Sequence, residues 1–298
     1  MKLGVIFPQT EIGPDVGPVR DYAQAVEGLG YRHLQAYDHV LGADTRNRPD
    51  WSGPYRLETQ FHEVMVLFGY LAAVTQRLEL VIGVLILPQR QTALVAKQAA
   101  EVDLLSGGRF RLGVGIGWNA VEYEALGEDF RTRGRRIEEQ IEVLRRLWTE
   151  PSVSVQGQWH TILEAGINPL PIQRPIPVWM GGQAEAVIER AGRIADGWLP
   201  QWRAFPSVDL MRGAIGRLRA AAEAAGRDPT RLGVSGVMTI STGTPDEWRQ
   251  AALDWQAAGA THLAVNTMGG GLGAVDAHLA RLRQFMTDVA PALDGDDD

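Results

Sequence analysis

Eight repeats of a short apolar run followed by an amphipathic segment predict an α/β chain closed into a (βα)8 TIM barrel. Three observations carry that expectation. The length of 298 residues suits such a barrel, whose typical size is about 250. The apolar runs are continuous rather than alternating, as in parallel strands covered on both faces. The units number eight, the count that closes a barrel, whereas an open doubly wound sheet needs no particular number.

The first unit is Lys2 to Pro8, a strand stopped by proline, then a helix striped by Val19, Tyr22, Val26 and Leu29 and closed by Gly30. In the second, Leu34 to Tyr37 is the strand. A long loop from Val40 to Phe61, rich in Asp, Arg, Pro and Trp, precedes a helix from about Glu63 to Thr75, and a loop of that length inside a domain is usually functional or disordered. Strand three is Leu78 to Leu87, ended by Pro88, and its helix Thr92 to Ser106 stops at Gly107-Gly108. Strand four, Phe110 to Gly117, shades into a glycine-rich turn, and the helix from roughly Arg131 to Thr149 carries Ile137, Ile141, Leu144 and Trp148 on one face. The rhythm then breaks. From about residue 150 to 177 the alternation of Val153, Val155 and Trp159, followed by a proline-rich run, predicts a hairpin-like insertion before strand five.

Strand five is Val178 to Met180, followed by Gly181-Gly182 and a helix from Ala184 to Ala195; strand six is Gly197 to Pro200, with a helix from about Val208 to Ala225. Strand seven is Gly233 to Ile240. Its helix opens at Thr244-Pro245-Asp246-Glu247, a Thr cap with proline at the first helical position, and ends at Gly259. His262 to Asn266 and the helix Val275 to Val289 complete the count. A single domain over 1–298 is expected, with a frayed acidic tail from about residue 293.

Composition narrows the function. A net charge of -7 argues against general affinity for nucleic acid or anionic membranes, which rests on basic patches. The absence of cysteine excludes thiolate metal ligands, disulfides and thiol catalysis. The N-terminal apolar run is too short for a secretory leader or a membrane span, so a cytoplasmic protein is expected.

A barrel of this kind keeps its chemistry at the C-terminal ends of the strands. There the sequence places Gln9, Asp38-His39, Gly83 to Pro88, Gly115 to Asn119, Gly181 to Gln183, Gln201-Trp202, Ser241-Thr242 and Asn266. That set holds one histidine and one carboxylate, so paired-carboxylate hydrolysis and nucleophilic triads lack parts. The other histidines form no HxH or HExxH pattern, and no metal site is expected. What remains is glycine-lined space with apolar walls, suited to a large flat cofactor. Gly181-Gly182 ahead of a helix offers free N–H groups for a phosphate, or merely a tight turn. Gly115 to Ala120 fits GxGxxA but lacks the following strand with its acidic residue, so it is not a dinucleotide fingerprint. His39 is either a loop histidine bonded to Asp38 or a nearby carbonyl, or the one group at the strand ends able to exchange a proton near neutrality. Asp38 is placed to accept a hydrogen bond from a cofactor, and Trp51, Trp118 and Trp202 either wall the pocket or pack.

Taken in order, several motifs resemble the luciferase-like monooxygenase superfamily, in its branch of F420-dependent oxidoreductases. They are Leu3 to Gln9, Gly30 with Tyr37-Asp38-His39-Val40, Leu85 to Pro88, Ala96 to Ser106 with Gly107-Gly108-Arg109, Gly113 to Asn119, and Pro177 to Gly182. The resemblance implies a TIM barrel binding F420, or FMN in sister branches, and acting on a small organic substrate. It implies Asp38 near the cofactor ring and His39 as proton donor or acceptor. It further implies a bulge with a non-prolyl cis peptide at Leu85-Ile86 backing the ring, and cofactor contacts from Gly115, Gly117, Asn119, Gly181, Gly182 and Gln183. A homodimer is implied too, with the Glu63 to Thr75 helix as a candidate interface. The superfamily also includes members without catalysis. Trp118 stands where the sugar-phosphate dehydrogenases of the family place a glutamate, which argues against glucose 6-phosphate as substrate.

Overall fold

The computed structural model describes residues 1–201, 205 and 207–293. Trp202 and the acidic residues 294–298, singled out in the sequence, lie outside them.

The chain alternates as expected: β1 (Lys2–Ile6), α1 (Val16–Gly28), β2 (His33–Ala36), α2 (Val64–Val74), β3 (Glu79–Ile82), β4 (Leu85–Ile86), α3 (Thr92–Ser106), β5 (Phe110–Gly115), α4 (Ala120–Ala125) and α5 (Arg133–Thr149). There follow β6 (Val153–Gln156), β7 (Thr161–Ala165), β8 (Val178–Gly181), α6 (Glu185–Ile194), β9 (Gly197–Leu199), α7 (Val208–Ala224), β10 (Gly233–Thr239), α8 (Pro245–Ala258), β11 (His262–Asn266) and α9 (Val275–Asp288). The barrel sheet runs β3-β2-β1-β11-β10-β9-β8-β5, and β5 returns to β3 through Leu80 opposite Phe110, which closes it. Every pairing in it is parallel. β3 and β4 are two halves of one barrel position, both paired with β5, so the barrel has eight strands. The fold is the (βα)8 TIM barrel that the rhythm of the sequence predicts.

The strand-three segment differs in detail from its sequence reading. Instead of one strand over 78–87, the ladder breaks after Ile82, and the non-prolyl cis peptide bond lies at Gly83-Val84. Leu85-Ile86, where the resemblance places that bond, is instead regular strand paired with Val114 and Gly115.

The helices cover the barrel because each keeps one apolar stripe. Val19, Tyr22 and Val26 of α1 are buried, as are Ile137, Ile141, Leu144 and Trp148 of α5. Each such side chain contributes about 1.5–3 kcal/mol relative to exposure. The stops are local chemistry. Gly107 and Gly259 end α3 and α8 with φ of 69° and 99°, where a Cβ would be strained, and Thr244 with Glu247 forms the expected capping box.

Inside the barrel the N-terminal end is plugged by polar and aromatic groups. Trp179 fits only because a Cβ on Gly197 or Gly233 would collide with its indole. The Arg111 guanidinium lies 4.2 Å over that ring and pairs with Glu79, while His262 meets Trp179 and His33 edge-on. Burial pushes the His33 imidazole well down and His262 to about 3, with the charge of Arg111 adding to both, so they are held neutral.

Between α5 and β8 lies the antiparallel pair β6–β7, joined from Val153 opposite Ala165 to Gln156 opposite Thr161. Its turn is held by Glu139 of α5, whose carboxylate accepts from the amides of Gln158, Trp159 and His160, each at 2.9 Å. The His160 ring bridges Glu139 Oε1 at 2.7 Å and the Thr92 hydroxyl at 2.7 Å, fastening the insertion to α3.

Candidate active site

The C-terminal ends of β5 and β8 close on one short side chain, Val84, which immediately precedes β4. A Cβ on Gly115 would come within 2.5 Å of Val84 and one on Gly181 within 2.6 Å, so both positions must be glycine for the strand ends to close on it. Gly117, with φ of 64°, faces Ile86 in the same way at 2.8 Å. These contacts bring together most of the residues singled out in the sequence. The glycines thus have a packing reason before any ligand is considered.

Asp38 follows β2 and is buried. Its Oδ1 accepts from the Arg90 guanidinium at 2.6 Å and its Oδ2 from the Ile86 amide at 3.2 Å. Burial pushes its carboxyl up, with Arg90 and the amide pulling partly back. Arg90 also reaches Glu63, the cap of α2, at 3.4 Å. Each oxygen of Asp38 therefore has one partner inside the protein. The Leu85 side chain is fully buried among the core residues.

His39 is the residue left facing the mouth, and its chief partner was not visible in the sequence. Its Nδ1 lies 3.1 Å from Oε2 of Glu122, a carboxylate that is 1% exposed. The other oxygen of Glu122 accepts from the amides of Val40 and Leu41, the latter at 3.2 Å. Burial alone pushes the Glu122 carboxyl up. The bonds from His39 and the two amides together outweigh it, and the group titrates below the usual carboxylate range. Asn119 caps α4 by accepting from the Val121 amide at 3.2 Å, and its Nδ2 stands 3.4 Å from the Leu41 carbonyl. The sequence predicts only a glycine-rich turn here; the structure adds helix α4, which carries Glu122 to His39. The one local signal was the spacing Asn119-x-x-Glu122, a cap with an acid three residues on.

The rest of the wall is aromatic. Ring centroids of Phe61, Tyr55 and Trp118 lie 4.8, 5.1 and 5.6 Å from that of His39, and Trp51 meets Trp118 at 5.7 Å. The long loop after β2 thus folds back over its own histidine. Gln9 donates to the Tyr37 carbonyl at 3.0 Å while its Oε1 is buried without a partner, and the Gln35 Oε1 is in the same state. On the β8 side, α6 begins at Glu185 behind Gly181, Gly182 and the exposed Gln183, and its N-cap Ala184 supplies no side-chain bond. Among the described residues no three side chains of metal-ligating type gather, and no helix is long and apolar enough to cross a membrane.

The model of the luciferase-like monooxygenase family matches residues 1–293. An uncharacterised protein of Mycobacterium tuberculosis is 37% identical over 202 residues, 66% of this chain and 69% of its own length. An FMNH2-dependent dimethylsulfone monooxygenase of Pseudomonas putida is 32% identical over 192 residues, 63% of this chain and 51% of that enzyme. An F420-dependent glucose-6-phosphate dehydrogenase of Amycolatopsis mediterranei is 30% identical over 206 residues, 67% of this chain and 57% of that enzyme. The crystal structure of the monooxygenase RslO1 from Streptomyces bottropensis has the same fold, with a TM-score of 0.81 at 21% identity over 98% of this chain and all of the other.

Proposed function

The chain belongs to the luciferase-like monooxygenase family, and from that premise we propose that it is an oxidoreductase transferring a hydride between coenzyme F420 and a small organic substrate, with His39 giving or taking the accompanying proton. The observation that carries this reading is the state of His39. One ring nitrogen is held by a buried carboxylate, and Nε2 has no hydrogen-bond partner among the described residues. An imidazole placed this way can exchange a proton with a substrate hydroxyl or carbonyl oxygen.

The strand ends fit a flat cofactor with a phosphate-bearing side chain. The Gln9 and Gln35 amide oxygens are buried and unpaired. The uncapped start of α6 presents backbone N–H groups behind Gly181, Gly182 and Gln183, where they would hold a phosphate. Gly115, Gly117, Ile86 and Asn119 would line the ring's side. Asp38 would act through Arg90 and the Ile86 amide, by fixing the edge of β4, and Leu85 by packing behind it. F420, when bound, supplies hydride transfer at its deazaflavin ring. The chain's part is to exclude water with Tyr55, Phe61 and Trp118 and to hold the proton at His39.

An FMN-dependent monooxygenase is the second reading, favoured by the likeness to the dimethylsulfone enzyme. Titration of the protein with F420 and separately with FMN, followed by tryptophan quenching, tests the choice. Micromolar binding of F420 is expected, and binding of FMN with none of F420 overturns it. Tight F420 binding without turnover of any alcohol or carbonyl substrate would make the chain a non-catalytic binding protein.

We further propose a cytoplasmic homodimer formed through α2. Its Val66 is 72% exposed, and Leu105 of α3 stands exposed beside Gly69. Light scattering that returns a monomer at micromolar concentration removes this proposal.

A further inference from the structure

We propose that Glu122 is a positioning residue that fixes the tautomer of His39, holding the proton on Nδ1 so that Nε2 meets the substrate as a lone pair. This rests on the reading of His39 as the proton-exchanging group. It adds which direction the proton first moves: the neutral site is set to accept one.

Glu122 is buried and is held ionised by the groups around it. Its Oε1 already accepts from the Val40 and Leu41 amides, and its Oε2 has Asn119 Nδ2 at 3.5 Å and His39 Nδ1 at 3.1 Å. A carboxylate can only accept. The contact to His39 is therefore a hydrogen bond only when Nδ1 carries the proton, and a neutral imidazole then has none on Nε2. No competing bond among the described residues opposes this: the ring's other neighbours, Tyr55, Phe61 and Trp118, meet it as T-shaped ring pairs. Glu122 can be this specific because the two consecutive amides of the loop after β2 anchor Oε1 and leave Oε2 aimed at the ring. A glutamine in its place keeps the anchor through its amide oxygen and turns an NH2 toward Nδ1. His39 would then have to accept there and carry its proton on Nε2.

The test needs neither cofactor nor substrate. Long-range 1H–15N spectra of the full-length 15N-labelled protein at a pH where imidazole is neutral report which nitrogen of each histidine is protonated. The His39 signals are assigned by their loss in H39Q. Nδ1–H with a bare Nε2 is expected in the wild type, and the reverse in E122Q. A wild type carrying Nε2–H, or an E122Q protein with the wild-type tautomer, overturns the proposal. If E122Q does not fold, the wild-type spectrum decides by itself. Loss of the F420 reading would leave this result standing, and a wrong tautomer would leave F420 binding untouched, so the two failures are told apart.

Discussion

Among the described residues two of the histidine–glutamate pairs share one plan, and only one of these two is open. In both, a carboxylate accepts from consecutive backbone amides of a loop and from the Nδ1 side of that loop's histidine: Glu122 with Val40, Leu41 and His39, and Glu139 with Gln158, Trp159 and His160. The difference is the second ring nitrogen. That of His160 is taken by the Thr92 hydroxyl, so every valence of the clasp is used to hold the insertion against α3. That of His39 makes no bond among the described residues and sits in an aromatic recess at the strand ends. A saturated pair is a fastening, and an unsaturated one in the same geometry is available for chemistry.

The comparison breaks first at the imidazoles. H39Q is expected to lower turnover about 10²- to 10⁴-fold while F420 binding persists, the scale of a lost general acid or base. H160Q should leave turnover unchanged. Steady-state kinetics on both variants, with equal loss or no loss, would erase the distinction.

Acid unfolding sharpens it from a third side, through the histidines that have neither carboxylate partner. His33 and His262 at the barrel's N-terminal end titrate below their unfolded value of about 6.5. The unfolded chain therefore takes up protons first as pH falls. The stability held by these groups is complete above pH 6.5 and declines as pH drops toward their folded values, by about 1.4 kcal/mol per pH unit for each histidine. Denaturant melts between pH 6.5 and 4.5, above the range where the lowered carboxylates Glu122 and Glu139 contribute, should show a slope of that sign, to which the lowered His62 and His278 add and from which the raised Asp38 subtracts, and H262N should reduce it. An H262N profile with the wild-type slope would show that this ring is solvated.

The clasp itself comes next. Glu139→Ala leaves three amides of the hairpin turn and one imidazole without their acceptor, a loss of about 1–3 kcal/mol of stability, read as a lower melting temperature with turnover kept. A fall in turnover without a fall in stability would tie the insertion to the chemistry. Thr244→Ala sets the scale of a purely local contact: losing the α8 cap should cost about 1 kcal/mol, with no effect at either pair.

Much of this was legible in the sequence, for reasons that can be named. The barrel followed from eight apolar runs, several of them ended by proline or glycine, and its strand ends followed from the fold, which is why Asp38 and His39 could be placed at the mouth. The misplacements fall where the signal was not local. Leu85-Ile86 and Gly83-Val84 belong to the same apolar run, so nothing in the pattern says where the ladder breaks. The partner of Asp38 was likewise not legible, because Arg90 lies 52 positions away.

The same spacing with two outcomes marks the boundary between the levels. Thr244-x-x-Glu247 and Asn119-x-x-Glu122 both read as a helix cap with an acid at the third position. The first closes on itself, as its own residues dictate, because Glu247 finds no better donor than the Thr244 amide. The second leaves Asn119 to cap alone and sends Glu122 across to the loop after β2, where two amides and an imidazole wait. The sequence by itself determined the repeating units, the strand ends and the histidine. Which carboxylate would hold that histidine was decided only when closure of the barrel set β2 and β5 on either side of the β3–β4 position, because a side chain binds the donors that come within reach and reach is a property of the fold.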